Sequence, residues 1–313
     1  MKKILFLFFC TSMVAMAAFA LSKKPPVDDS AFEGTWDLVI LKDGKELPSW
    51  LEIEHSGRHT LTGRFVYAFG SARPISVINL KEGKFSFSIP PQWEPGDRNM
   101  DFEGELDGDK LKGTMIYTDG KSYPWTAVRA PSLKREKEPT WGQPIRLFNG
   151  VDLQGWKATG VNQWVAEDGI LRSKKSGSNL MTEQTFNDFK LHVEFRYEKG
   201  SNSGVYLRGR YEVQIEDNQG KNPWRGYFSA IYGFLVPTEI TAKGPGEWQS
   251  YDITLIGRMV TVVANGKTVI CNQEIPGITG GAIDSKEGEP GPILFQGDHG
   301  PIDYRNILIT PAK

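Results

Sequence analysis

The stretch Tyr211-Glu212-Val213-Gln214-Ile215-Glu216 alternates apolar and polar residues. Strand residues two apart share a face, so Glu212, Gln214 and Glu216 line one side and Tyr211, Val213 and Ile215 the other. Such a polar row has two readings: a solvated outer face, or the lining of a cleft in which a carboxyl group handles protons. Two neighbours favour the cleft. Arg208 closes the preceding strand and faces back across a two-residue connection, and Asn202-Ser203-Gly204 reads as a turn that brings backbone close to whatever occupies the face. A second centre lies near the C-terminus, where Pro292-Ile293-Leu294-Phe295-Gln296 runs into Gly297-Asp298-His299-Gly300. An imidazole titrates near neutrality, and one flanked by a carboxylate at a strand end suits acid–base work.

Other chemistries find little support. His192 sits in an apolar alternation and reads as structural. Only His55 and His59 have ligand spacing, and Gly57 between them argues against a helix, so the histidines make no metal signature. A divalent cation held by carboxylates, such as Ca²⁺, stays open, and no other cofactor is called for. The chain lacks a Gly-x-Ser-x-Gly elbow and a glycine-rich phosphate loop before a helix. Cys271 follows Val269 and Ile270 and reads as a core thiol.

The elements that must carry these residues are strands. Short alternating runs such as Trp36–Ile40, Lys84–Ile89 and Lys110–Tyr117 are separated by Asp-Gly turns, and read as an antiparallel meander closing into a small barrel or sandwich over residues 31–130. Residues 131–143 break the alternation with a proline-bracketed charged run, Ser132-Leu133-Lys134-Arg135-Glu136-Lys137-Glu138, which suits a solvated linker. From 144 to 313 the strands lengthen, and Asn265-Gly266 marks a type I′ hairpin turn; the expected architecture is a two-sheet jelly-roll sandwich. The fold class is therefore all-β, in two β domains.

Composition sets the limits. The chain has 313 residues, 37 Lys and Arg against 38 Asp and Glu, and a formal net charge of −1, which gives no electrostatic reason to expect nucleic acid as a partner. Lys2-Lys3, the apolar Ile4–Met16 and Ala18-Phe19-Ala20 read as a signal peptide spanning residues 1–20, cut after Ala20. That run is too short to span a bilayer, so no stable membrane insertion is expected and the mature protein is placed in the periplasm or outside the cell. Cys271 is then its one cysteine and no intramolecular disulfide can form.

Three resemblances to known families follow from local motifs. Gly34-Thr35-Trp36 resembles the first-strand Gly-x-Trp of lipocalin-like barrels. Phe148-Asn149-Gly150-x-Asp152-Leu153-x-Gly155-Trp156, Asn202-Ser203-Gly204-Val205-Tyr206-x-Arg208, Tyr211-Glu212-Val213-Gln214-Ile215, Gly246-Glu247-Trp248 and Gln296-Gly297-Asp298-His299 with Tyr304-Arg305-Asn306-Ile307 together resemble the 3-keto-disaccharide hydrolase family. This second resemblance spans roughly residues 144–312. It implies a concanavalin-like fold, an extracytoplasmic location, and action on a small carbohydrate, a glycoside whose carbon 3 is a ketone. Glu212-Val213-Gln214-Ile215-Glu216 is also similar to the Glu-x-Asp-x-Glu strand of lichenase-type glucanases, with Gln in place of the middle Asp.

On a keto substrate the residues take roles. A ketone acidifies the proton on carbon 2, so a base removes it, an enolate forms and the glycosidic oxygen on carbon 1 leaves; water then adds. The expected assignment has His299 or Glu212 as base and the other as acid, and Arg208 with Gln214 at the enolate oxygen. Glu194 and Gln296 are expected to contact the sugar, with Asn202 and Glu216 as further binding residues and Trp224 or Trp248 as a stacking platform. Two rival readings are a sugar-binding module without chemistry and a direct glycosidase using Glu212 and Glu216.

Overall fold

Pairs of residues with positive φ punctuate the chain: Asp43 (52°) with Gly44 (75°), and Glu82 (54°) with Gly83 (81°). Two left-handed residues in succession form the type I′ turn, whose twist matches that of antiparallel strands, so each pair folds the chain back on itself. In the computed structural model, which describes residues 29–313, this produces β1 (Gly34–Lys42), β2 (Lys45–His55), β3 (Leu61–Val66), β4 (Arg73–Lys81), β5 (Lys84–Ile89), β6 (Met100–Asp107), β7 (Lys110–Ile116) and β8 (Ser122–Arg129). The expected signal peptide, residues 1–20, lies outside the described residues. Each strand pairs with the next, and β8 returns to β1 to close an eight-stranded barrel. Aromatic rings pack its interior: Phe87 stacks on Phe102 at 4.7 Å between centroids, and Phe65 lies 4.6 Å from Phe102. Trp36 is fully buried, donates its indole N–H to Phe32 O at 2.9 Å and carries the Arg129 guanidinium 4.1 Å above its ring.

The second half forms two facing sheets from β9 (Ile145–Arg146), β10 (Trp156–Ala158), β11 (Trp164–Glu167), β12 (Ile170–Ser173), β13 (Leu180–Thr182), β14 (Phe189–Tyr197), β15 (Asn202–Leu207), β16 (Tyr211–Glu216), β17 (Gln249–Ile256), β18 (Met259–Ala264), β19 (Lys267–Glu274), β20 (Leu294–Phe295) and β21 (Ile302–Pro311). The smaller sheet has the order β10-β13-β20-β15-β16; the larger runs β11-β12-β21-β14-β17-β18-β19, with β9 pairing β21. Their facing side chains form the core, and Phe295 of the small sheet stacks on Tyr304 of the large one at 4.0 Å. Among the described residues no helix is long and apolar enough to cross a membrane.

Three local expectations are corrected. The charged run after Pro131 is clamped to the sandwich: Leu133 is buried, Arg135 forms a bidentate pair with Asp188 (2.6 and 3.0 Å), and Trp141 bridges to Ala312. The apolar Leu133 inside the run is what a charge count overlooks. Cys271 is exposed, because the β18–β19 register shifts near Val269, turning Val269 and Ile270 both inward and Cys271 out. Asn202-Ser203-Gly204 is the start of β15; the turn lies just before it, where Ser201 N–H donates to Glu198 O at 3.0 Å.

Barrel and sandwich meet through built contacts. Gly281 N–H donates to Ala68 O at 2.8 Å, Trp50 packs edge-on against Phe234 at 5.3 Å, and Ser285 Oγ donates to Leu38 O at 2.5 Å. Asp37 of the barrel is buried beside Glu287, itself bound by Arg258 at 2.6 Å; burial first, then the Glu287 charge, pushes the Asp37 carboxyl up to about 8. A cavity of about 190 Å³ lies in this joint beside Asp37 and Ser285, away from the residues with candidate chemistry.

Candidate active site

Register brings the candidate residues onto the outer face of the small sheet. Tyr206 pairs with Glu212 on one side and Leu294 on the other, and Gly204 pairs with Gln214; paired residues share a face. Tyr211, Val213 and Ile215 take the opposite face and are wholly buried between the sheets. The alternation seen in the sequence thus divides the core from the outer face of the sheet.

Glu212 is the centre of this face. It is only 3% exposed, and its carboxyl crosses the space over Gly204, where any Cβ would collide with Oε1. Burial pushes its pKa up to about 8; the Tyr206 hydrogen bond and the His299 charge oppose this rise, and Asp298 adds to it. The Tyr206 hydroxyl lies 3.0 Å from Glu212 Oε2 and 2.9 Å from Gly280 O. A phenol has one proton and cannot donate to both. A protonated Glu212 resolves the conflict, since it can donate to Tyr206 while Tyr206 donates to Gly280. Backbone bonds hold the strand on both sides: Glu212 N–H donates to Thr279 Oγ1 at 3.0 Å, and Tyr232 N–H donates to Glu212 O at 3.0 Å.

The imidazole of His299 stands at the edge. Its Nδ1 is 2.6 Å from Asp298 Oδ1, and this hydrogen bond raises the His299 pKa, with the Glu212 charge acting in the same direction. The half-exposed ring faces solvent while its loop is pinned: Gly297 N–H donates to Asn179 Oδ1 at 2.9 Å and Ser176 Oγ donates to Asp298 O. Gln296 N–H donates to Gly204 O at 3.0 Å, and its side-chain Oε1 is buried without a partner among the described residues. Gln214 is buried and donates through Nε2 to Gly226 O at 3.3 Å. Asn202 and Glu216 face each other at the far end of the same strand pair, where burial raises the Glu216 pKa.

Three expected participants lie elsewhere. Arg208 is fully buried on the core side, donating from Nη2 to Tyr211 Oη (3.0 Å) and Gly257 O (2.8 Å). Tyr211 in turn donates to Glu287 at 2.8 Å, so Arg208 belongs to the polar chain at the barrel joint and cannot serve an enolate on the Glu212 face. Its left-handed φ of 53° at the turn, rather than extended strand geometry, sets the direction of its side chain. Glu194 lies on the large sheet, held by Arg305 (2.6 Å) and Asn306 (2.9 Å), and Trp248 is covered there by the guanidinium groups of Arg305 and Arg196 at 3.8 and 4.7 Å. Neither touches the small-sheet face. Trp224 does border it, its ring lying over Gly226, whose carbonyl receives Gln214.

Sequence reasoning missed Tyr206, Thr279 and Tyr232. Tyr206 was within reach, since it follows Gly204 by two and must share the polar face; the others sit on loops without periodicity. For the divalent cation left open, no group of three His, Cys, Asp or Glu side chains among the described residues is arranged to hold one.

The second half is thus an all-β jelly-roll sandwich that carries a buried acid and two glutamines on its small sheet and an Asp-His loop beside it. The family model described as "3-keto-alpha-glucoside-1,2-lyase-like domain" matches residues 143–310, and the protein belongs to this family. A curated relative, the 3-keto-disaccharide hydrolase of Bacteroides thetaiotaomicron, is 29% identical over 91 residues, which are 25% of this chain and 31% of the relative. The match thus spans about a third of the curated relative's length. Among solved structures, a protein of Parabacteroides distasonis provisionally named a glycosyl hydrolase is 30% identical, with 56% of this chain and 92% of that one covered and a TM-score of 0.45. The β-glucanase of Bacillus licheniformis is 11% identical, with 57% and 100% covered and a TM-score of 0.36.

Proposed function

We propose that the protein is an exported enzyme that cleaves glycosides carrying a ketone at carbon 3, by elimination followed by hydration. The observation that carries this reading is a buried Glu212, whose pKa burial pushes up to about 8, within the electrostatic reach of an imidazole, His299, that Asp298 holds at 2.6 Å on the adjoining loop. At neutral pH these two groups are suited to opposite roles. His299, once deprotonated, removes the proton on carbon 2, whose electron pair passes into the enolate of the C3 ketone. The enolate collapses to the enone as the C1–O bond breaks, and the departing oxygen takes the Glu212 proton. Addition of water at carbon 1 returns a proton to carbon 2 and yields the free keto sugar. With Arg208 in the core, the amides of Gln214 and Gln296 are the donors this face offers to the developing oxyanion.

The rivals fit less well. In the strand that resembles the lichenase Glu-x-Asp-x-Glu pattern, Gln214 stands between Glu212 and Glu216 where that pattern has Asp, which removes the middle carboxylate from a direct glycosidase. A binding module gains nothing from a carboxyl whose burial costs stability. Turnover of a 3-keto-glucoside, read by release of its aglycone, tests the proposal: His299→Ala and Glu212→Gln should each abolish most of it, and retention of activity by both contradicts the assignment.

A further inference from the structure

The barrel lies outside the matched family region, yet one of its loops borders the Glu212 face. Barrel residue Ala68 accepts the N–H of Gly281, in the same loop whose Gly280 carbonyl receives Tyr206, the partner of Glu212. Close packing enforces this approach: a Cβ on Gly280 would strike Gly70, and one on Gly233 would meet Ser71 and Ala72. The neighbouring barrel loop, residues 90–99, carries Trp93. This residue is 68% exposed, although the loop that carries it is firmly held. Glu94 Oε2 accepts the backbone N–H groups of Gln92 (2.7 Å) and Trp93 (3.1 Å), Glu94 pairs with Arg73 at 2.8 Å while both are buried, and Arg73 donates to Pro90 O at 3.0 Å. The Trp93 ring packs over Gly70, the residue against which Gly280 of the sandwich is pressed, which sets it at the joint beside the Tyr206–Glu212 pair. On the other side stands Trp224, 48% exposed and beside Gln214 through Gly226.

A large aromatic held out to solvent on a rigid loop, near the polar face of Glu212 and Gln214, suits the apolar C–H face of a pyranose ring. We propose that Trp93 is the stacking platform for the leaving sugar of a disaccharide substrate, so that the barrel completes the active site of the sandwich. The inference rests on the function proposed above. Trp93 stands at the joint and has no contact with the acid–base groups, so it acts on the part of the substrate that departs.

The test uses the full chain, with a 3-keto-disaccharide and methyl 3-keto-glucoside as paired substrates. For Trp93→Ala the ratio of kcat/KM for the disaccharide to that for the methyl glycoside should fall about tenfold, chiefly through KM, and Trp93→Phe should restore most of it. An unchanged ratio overturns the inference while leaving the proposed reaction standing. If the wild-type protein turns over neither substrate, the proposed reaction fails by itself, and calorimetry with the unoxidised disaccharide decides the subsite. Wild-type binding weakened at least tenfold by Trp93→Ala supports the platform; equal binding, or none by the wild type, overturns it.

Discussion

The carboxyl group of Glu212 occupies the space over Gly204 on the neighbouring strand, where any side chain would displace it. The glycine gives the acid its seat against Tyr206 without altering the chemistry itself. Gly204 is not among the residues with positive φ, so alanine suits the backbone there and the clash is with Glu212. Gly204→Ala should therefore fold, and should lower kcat at least tenfold by moving the acid. Steady-state kinetics with a melting curve checks this; full activity would mean that the Glu212 position is immaterial.

Stability should report the Glu212 proton. The folded-state pKa is about 8 against 4.5 for an ordinary glutamate, so the folded protein holds this proton more tightly than the unfolded chain does. The carboxyl costs no stability below about pH 4.5, and its cost grows as pH rises to 8. Glu212→Gln should thus leave Tm nearly unchanged at pH 4 and raise it by a few degrees at pH 9. Asp37→Asn at the barrel joint should show the same sign, since that carboxyl is also raised to about 8.

The rate profile should have two limbs: activity rises as His299 loses its proton and falls as Glu212 loses its own. Asp298 raises the His299 pKa by accepting its hydrogen bond. Asp298→Asn should move the acid limb of kcat/KM to lower pH, with a smaller maximum because the base is weaker. An NMR titration of the His299 ring checks the shift independently, and an unmoved or upward pKa contradicts the pairing.

Residues outside the face should separate cleanly from it. Glu194→Gln alters a contact on the large sheet and should leave kcat and KM within twofold. Arg208→Met strands the Tyr211–Glu287 chain and should lower Tm by several degrees, at a cost of about 1–3 kcal/mol, while activity per folded molecule persists.

These contrasts show what the sequence could and could not reveal. Alternation separates Glu212 and Gln214 from Val213 and Ile215, because period two is a property of every strand, and the Asp-Gly and Asn-Gly pairs mark hairpins because few residues accept positive φ. Alternation cannot say which sheet a strand joins, and for that reason Glu194 reads like Glu212 until the topology separates them. Arg208 turns away because of one left-handed residue, and Cys271 because of one register shift; neither leaves a periodic trace. The contribution of Tyr232, Thr279 and Trp93 depends on loops meeting across the barrel joint, which no local pattern encodes.

The central claim is that the proton on carbon 2 is removed before the glycosidic bond breaks. The most direct measurement is the kinetic isotope effect on kcat/KM for a 3-keto-glucoside deuterated at carbon 2, alongside the unoxidised glucoside. The account predicts a primary effect above about 2 and no cleavage of the unoxidised sugar; an effect near unity, with cleavage of the unoxidised glucoside, would contradict it.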